Sequence, residues 1–288
     1  MTKLGRQDAI LKKMRALNEK QRSIVMHILH CFKTGRSPFH IYLSGSARVG
    51  KSTVIDALFQ ILTLHFNKTP GNQIDTLKIL FCAPSGKAAF LIGGVTLHTA
   101  FALPVSQFGG QMPDLAADLA NTIREKLFHL KLLIIDEISM VGARLLSRVD
   151  TRLRQIMGID EHFGGVSVLV VGDLKQLPPV MDKYVFQPSS TTEMSVLVDS
   201  PLWERFVCYE LTEIMRQREE LAFIEALNNL VVRKMTNANI ALVQTRIVND
   251  TEVPDSAIRL FVINELVENY NFQKIKKFPG EEYVALVK

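Results

Sequence analysis

Five apolar runs, each ending in a polar or glycine-bearing turn, constrain this chain more than any other feature. They are "HIYL" at 40–43, "LKILFCAP" at 77–84, "KLLIIDE" at 131–137, "VSVLVVGD" at 166–173 and "FVCYELTE" at 206–213. Between them lie stretches with apolar residues at helical spacing, such as "LNEKQRSIVMHILHCF" at 17–32, a span from Asp114 to Phe128, and "VGARLLSRVDTRLRQIM" at 141–157. A strand that is apolar throughout must be covered on both faces. Alternation of such strands with helices predicts a parallel sheet sandwiched between helical layers, an α/β fold. After about residue 212 the pattern turns more helical and polar, which places a boundary there.

The turn after the first run reads "GSARVGKST" and fits G-x-x-x-x-G-K-[ST] from Gly45 to Ser52. Between a strand and a helix, the backbone N–H groups of such a loop point into one concavity and cradle phosphates at a helix N-terminus. Gly45, Ser46, Ala47, Arg48, Val49, Gly50, Lys51, Ser52 and Thr53 form the candidate nucleotide cradle. Lys51 would reach the β and γ phosphates, and the Ser52 hydroxyl would ligate Mg²⁺. From average composition, a chance match in a chain of this length arises about one time in a hundred. If Arg48 sits at positive φ, its side chain costs ~1 kcal/mol or somewhat more. The loop could carry that as strain, or the guanidinium could add a cation near the phosphates.

"LLIIDEIS" sets Asp136 and Glu137 at the C-terminal end of a buried strand, where open α/β sheets bind ligands. Asp136 would hold the metal ion, and Glu137 would orient and deprotonate an attacking water. "LVVGDLKQLPPV" brings Gln176 to the same edge, able to touch the γ phosphate or its water. Pro178 and Pro179 make a stiff corner, which read alone is a loop stop.

Composition sets broad bounds. The chain has 288 residues, 47% hydrophobic and 22% charged, with net charge +5. That size allows one large domain or two ordinary ones, and the mild basic excess permits nucleic-acid binding without requiring it. No apolar run approaches the ~20 residues that span a bilayer. The N-terminal "MTKLGRQDAILKKMRALNEK" lacks the apolar core of a secretory signal, so an intracellular address is expected. Cys31, Cys82 and Cys208 stand far apart and read as buried free thiols. No Cys or His spacing suits a metal.

Taken in order, these motifs resemble the Pif-type helicases (petite integration frequency), within the Pif/RecD-like group of superfamily-one DNA helicases. "LNEKQ" resembles the family's adenine-reading motif, with Gln21 as reader, although Gln21 alone would pass for a solvated helix residue. "APSGKAAFLIGGVTLHTAF" resembles a motif in which Lys87, Thr96 and His98 face single-stranded DNA. By itself His98 would be read as a hydrogen-bonded structural residue. "IIDEISMV" and "GDLKQLPPV" follow, with Pro179 among the DNA contacts. "RLRQIMGIDEHFGGVSVLVVGD" resembles the family's signature segment, and "SPLWERFVCYELTEIMRQ" the opening of its second motor domain, with Arg216 as an arginine finger. Two prolines after "QL" favour the Pif branch over RecD. The family usually has glycine where Arg48 stands and threonine where Ser85 stands.

The resemblance implies a RecA-like P-loop ATPase domain over residues 1–211 and an incomplete second RecA-like motor domain over 212–288, because the family's later motifs do not appear before Lys288. It implies ATP and Mg²⁺ as cofactors, and single-stranded or forked and structured DNA as partner. It also implies 5′-to-3′ translocation by a monomer without a membrane, and service in genome maintenance (repair, recombination, telomeres). The address would be nuclear or mitochondrial in a eukaryote and cytoplasmic in a bacterium. Two other readings stay open: a non-motor remnant that binds nucleotide or DNA without turnover, and a different P-loop ATPase acting on protein or RNA.

Overall fold

The structure is a computed structural model. It describes residues 3–46, 48–68, 76–104, 112–187, 202–213, 221–254 and 256–280, with side chains from residue 10 onward except at residue 250. Ala47 and Arg216 fall outside the described residues. The chain divides into two compact units, Met1–Arg218 and Glu219–Lys288.

The first unit is built on β1 (His40–Gly45), β2 (Ile79–Ala83), β3 (Val95–Thr96), β4 (Leu132–Ile135), β5 (Ser167–Gly172) and β6 (Val207–Leu211). They form one six-stranded sheet in the order β3-β2-β4-β5-β1-β6. Every pairing is parallel. The five expected strands are all present. The two-residue β3 was not foreseen, being too short to show a period.

Parallel strands need crossovers, and helices supply them. The helices are α1 (Lys3–Ala16), α2 (Glu19–Lys33), α3 (Lys51–Lys68), α4 (Gly86–Leu91), α5 (Leu97–Ala100), α6 (Ala117–Leu127) and α7 (Ala143–Met157). Local sequence sets their ends. Asn18 and Gln21 form a reciprocal capping box at the start of α2, satisfying two backbone donors that would otherwise lack partners. Gly158, at φ 68°, closes α7 in the left-handed conformation that glycine adopts without strain.

Period-two alternation sorts each strand's side chains between two apolar layers. Ile41, Leu43, Leu132, Ile134, Leu169 and Val171 face a layer with Ile24, Ile28, Leu58 and Leu62 of α2 and α3. Tyr42, Leu133, Ile135, Val168 and Val170 face a second layer with Leu146, Val149, Leu153 and Ile156 of α7. β4 and β5 are buried along their whole length. Truncating one of these fully buried leucines to alanine should cost about 2–5 kcal/mol.

Behind α7 the signature segment folds into a tight turn at 162–165. Phe163 is fully buried at φ 54°, followed by Gly164 at φ 60° and Gly165 at φ 73°. A Cβ on Gly164 would lie 2.6 Å from the Leu153 carbonyl oxygen, so only glycine fits there. Asp150, 6% exposed, accepts from the Phe163 N–H and pairs with Arg154 at 2.9 Å. Arg154 also reaches Asp160 and the His162 ring.

Cys31 and Cys82 are buried as expected, but Cys208 is exposed. It lies on β6, an edge of the sheet, where one side has no covering neighbour strand. An apolar sequence environment does not reveal strand order.

The second unit is helical among its described residues, with α8 (Leu221–Val231), α9 (Asn237–Gln244) and α10 (Asn264–Ile275). Thr236 and Asn239 form a capping box on α9, and Asn229 donates to Asn239 Oδ1 at 2.8 Å. No helix among the described residues is long and apolar enough to cross a membrane.

Candidate nucleotide site

Because all strands run the same way, their C-terminal ends share one edge. The glycine loop leaves β1, Asp136–Glu137 leave β4, and Asp173–Gln176 leave β5, which lies between β1 and β4. Chain order reverses there, the place where open α/β sheets bind ligands.

The loop is a tight construction. A Cβ on Gly45 would meet Val49 Cγ2 at 2.6 Å and the Leu211 carbonyl oxygen at 3.1 Å. Val49 is 1% exposed, a plug driven into the core beneath the loop. Arg48 stands at φ 68° and Gly50 at φ 83°. The position of Arg48 thus demands the left-handed conformation, and a non-glycine residue occupies it. Its side chain is exposed.

α3 starts at Lys51 with no acidic residue in its first turn. The bond from Val54 N–H to the Gly50 carbonyl opens the helix, so the N–H groups before it have no acceptor within the helix and present a positive end. Ser52 and Thr53 are exposed on that turn. The Lys51 amine donates to the carbonyls of Gly45 at 2.7 Å and Ser46 at 3.0 Å. Burial pulls its pKa down, while Asp173, Glu137 and Asp136 pull it back up.

The carboxylates show the same mutual influence. Asp136 donates its N–H to the Cys82 carbonyl, which ties the end of β4 to β2. Burial raises its pKa, opposed by the Glu137 N–H bond to Oδ1 at 2.9 Å and by Lys51. Burial also raises Glu137, followed by repulsion from Asp136; Lys51 opposes and Asp173 adds. Glu137 sits at φ 53°, ψ 48°, a strained backbone for a non-glycine residue that persists where surrounding structure dictates it. Gln176 is exposed, with its N–H on the Asp173 carbonyl at 2.9 Å and its amide near Asp173 Oδ2 at 3.4 Å.

Asp173 was missed in the sequence reading. Its signal was available, since "VLVVGD" ends a buried strand in an acid as "LLIIDE" does. Gln21, which alone would pass for a solvated helix residue, is fully buried; its amide donates to the Val49 carbonyl at 3.0 Å, and its Oε1 accepts from the Asn18 N–H. It therefore ties the α2 cap to the glycine loop.

The residues expected to face DNA divide. His98 and Pro179 line one cavity of about 90 Å³, with Arg144, Arg148 and Asp182. Burial and Arg148 lower the His98 pKa. Thr96 caps α5 by accepting from the Thr99 N–H at 3.2 Å, and Lys87 is exposed on α4. Neither of these two lines the cavity.

The donor set suits a magnesium nucleotide: orphan N–H groups, a lysine amine, an exposed serine hydroxyl and adjacent carboxylates. Among the described residues no cluster of His, Cys, Asp and Glu could hold a metal unaided.

Comparison with known proteins gives this geometry a family. The PIF1-like helicase family matches residues 16–241. The ATP-dependent DNA helicase RRM3 of Saccharomyces cerevisiae is 28% identical over 251 residues, 85% of this chain and 32% of that protein. The ATP-dependent DNA helicase PIF1 of Xenopus laevis is 32% identical over 262 residues, 89% of this chain and 37% of that protein. A crystal structure of Pif1 helicase from Bacteroides, in complex with ADP-AlF3 and ssDNA, superposes with TM-score 0.66 at 28% identity, covering 92% of this chain and 58% of that one. The chain thus spans about a third of these two curated relatives and somewhat over half of that solved chain. With an α/β parallel-sheet fold in common with those structures and a family match over most of its length, the chain belongs to the PIF1-like helicase family.

Proposed function

We propose that this chain is the ATP-hydrolysing part of a DNA helicase that moves 5′-to-3′ on single-stranded DNA in genome maintenance. The observation that carries the reading is the Lys51 amine, which feels Asp173, Glu137 and Asp136 together at the mouth of the glycine loop. Three motifs from three strand ends meet at one cation.

In this reading Lys51 gives up the Gly45 and Ser46 carbonyls and turns to the β and γ phosphates of ATP. The α3 N–H groups take the remaining phosphate oxygens. Glu137 accepts a proton from the attacking water. Its raised pKa brings it toward the range where a carboxylate is an effective base. Gln176 orients that water or the γ phosphate. Ser52 and Asp136 would hold Mg²⁺, which supplies charge neutralisation on the phosphates. Residues 1–211 act as the first motor domain and 212–288 as part of the second, with Arg216 as the finger. The DNA is held mainly through its phosphates and by stacking, at the side bearing Lys87, Thr96, His98 and Pro179.

The test is steady-state ATP hydrolysis by the 288-residue chain, with and without single-stranded DNA, beside Lys51→Ala. DNA-stimulated turnover that the substitution abolishes supports the reading. Nucleotide binding that depends on Lys51 but yields no turnover refutes hydrolysis by this chain and favours a binding remnant.

A further inference from the structure

The loop after β5 is fastened to the start of α7, with the Asp182 side chain at the centre of the contacts. From Asp173 the chain passes through Gln176 and Pro179 to Tyr184. Within it, Asp182 has a side chain only 12% exposed. Its Oδ1 accepts from the Arg144 N–H at 3.4 Å, Arg144 Nε at 3.2 Å and the Lys183 N–H at 2.8 Å. Its Oδ2 accepts from the Leu145 N–H at 3.2 Å. Arg144 also donates to the Met181 carbonyl, and the Ala143 N–H to the Lys183 carbonyl at 3.0 Å. Gly142 bridges Tyr184 in antiparallel fashion.

Gly142 is the N-cap of α7 and has no side chain to cap it. Asp182 therefore does this from 38 residues away, a carboxylate set against the positive end of a helix. The approach is so close that a Cβ on Gly142 would lie 2.2 Å from Asp182 Cγ. The Gly142 backbone, at φ −82°, would otherwise accept any residue.

These bonds close a circuit. From Glu137 the chain runs through the turn at 138–140 and the buried Val141 to Gly142 and α7. From Asp173 it runs through Gln176 and Pro179 to Asp182. The Asp182 bonds to Arg144 and Leu145 join the two arms. One side of the circuit carries the carboxylates around Lys51, and the other forms the wall of the cavity shared by His98, Pro179 and Arg148.

We propose that Asp182 is a positioning residue that couples the nucleotide site to the DNA-facing cavity, by holding the Gln176–Pro179 loop against the N-terminus of α7. It borders the cavity, but its carboxylate oxygens are taken up by Arg144, Leu145 and Lys183. The inference rests on the reading of this chain as a nucleotide-driven DNA-binding protein. A cap that only stabilised the helix would lower folding stability and weaken both ligands in proportion. A coupling element leaves each ligand's separate binding in place and removes the effect of one on the other.

The experiment titrates the full chain into a labelled single-stranded oligothymidylate, with and without a non-hydrolysable ATP analogue and magnesium, and reads anisotropy. In the wild type the analogue should shift DNA affinity about fivefold or more, in either direction. In Asp182→Ala and Gly142→Ala the shift should collapse below about twofold, while the analogue alone binds within about twofold of wild type. Asp182→Asn keeps one capping oxygen and should retain an intermediate shift. Thermal melting confirms that the variants are folded. Variants that keep the wild-type shift overturn the inference, as does a loss that merely follows the folded fraction. Wild-type protein that binds both ligands with no shift overturns the inference alone. Wild-type protein that fails to bind the analogue overturns the function reading, and the inference with it.

Discussion

Replacing Arg48 with glycine should stabilise the protein, and the structure indicates by how much. At φ 68° the residue occupies the left-handed region, which costs an L-residue about 1–2 kcal/mol and glycine almost nothing. Glycine also loosens the unfolded chain, which returns about 0.4–1 kcal/mol. The net gain is therefore about 0.5–1 kcal/mol, or about 1–4 °C in melting temperature for a domain of this size. Arg48→Ala is the control that separates backbone from side chain. It removes the guanidinium but keeps the left-handed penalty, so it should gain nothing. Urea or thermal unfolding of the three proteins at neutral pH, without nucleotide, reads the differences. If alanine proves as stable as glycine, the strain argument fails. If both fall below wild type by more than about 1 kcal/mol, Arg48's own contacts outweigh the strain.

Three further expectations follow from individual contacts. Gly45→Ala places a Cβ 2.6 Å from a buried Val49 methyl, and overpacking of this kind costs about 1–3 kcal/mol; calorimetry should show that loss together with weakened nucleotide binding. Asp150→Ala strips Arg154 of one carboxylate and leaves the buried Phe163 N–H without an acceptor, a loss of about 1–3 kcal/mol in denaturant midpoint analysis. His40 is held down to about 4 by burial, then by His162 and Arg205, with Asp150 opposing. Between its ordinary pKa and that value the unfolded chain binds the extra proton. Stability should therefore fall as pH drops through that window, and the fall should be shallower in His40→Gln.

How much of this was legible in the sequence depends on the range of each interaction. β4 and β5 could be read because unbroken apolar runs have few other homes. The edge position of β6 could not, since strand order depends on pairings far apart in the chain, and so Cys208 was misplaced inside. The glycine loop and the Asp136–Glu137 pair were legible as local patterns. Their strain was only partly so: Arg48 stands out in its motif, whereas nothing in "IIDEIS" signals a left-handed Glu137. Gln21 was assigned to the site but not to the core, because its partner Val49 lies 28 residues away. Asp182 carried no signal at all. A carboxylate that caps a helix from across the chain looks like any loop aspartate until the helix is in place.

The most direct test of a single site built from three strand ends is Glu137→Gln, assayed for ATP binding and for ATP turnover in the presence of single-stranded DNA. If Glu137 is the base beside Lys51, nucleotide affinity should stay within a few fold while turnover falls by about 10²–10⁴. Turnover that survives this substitution would contradict the account.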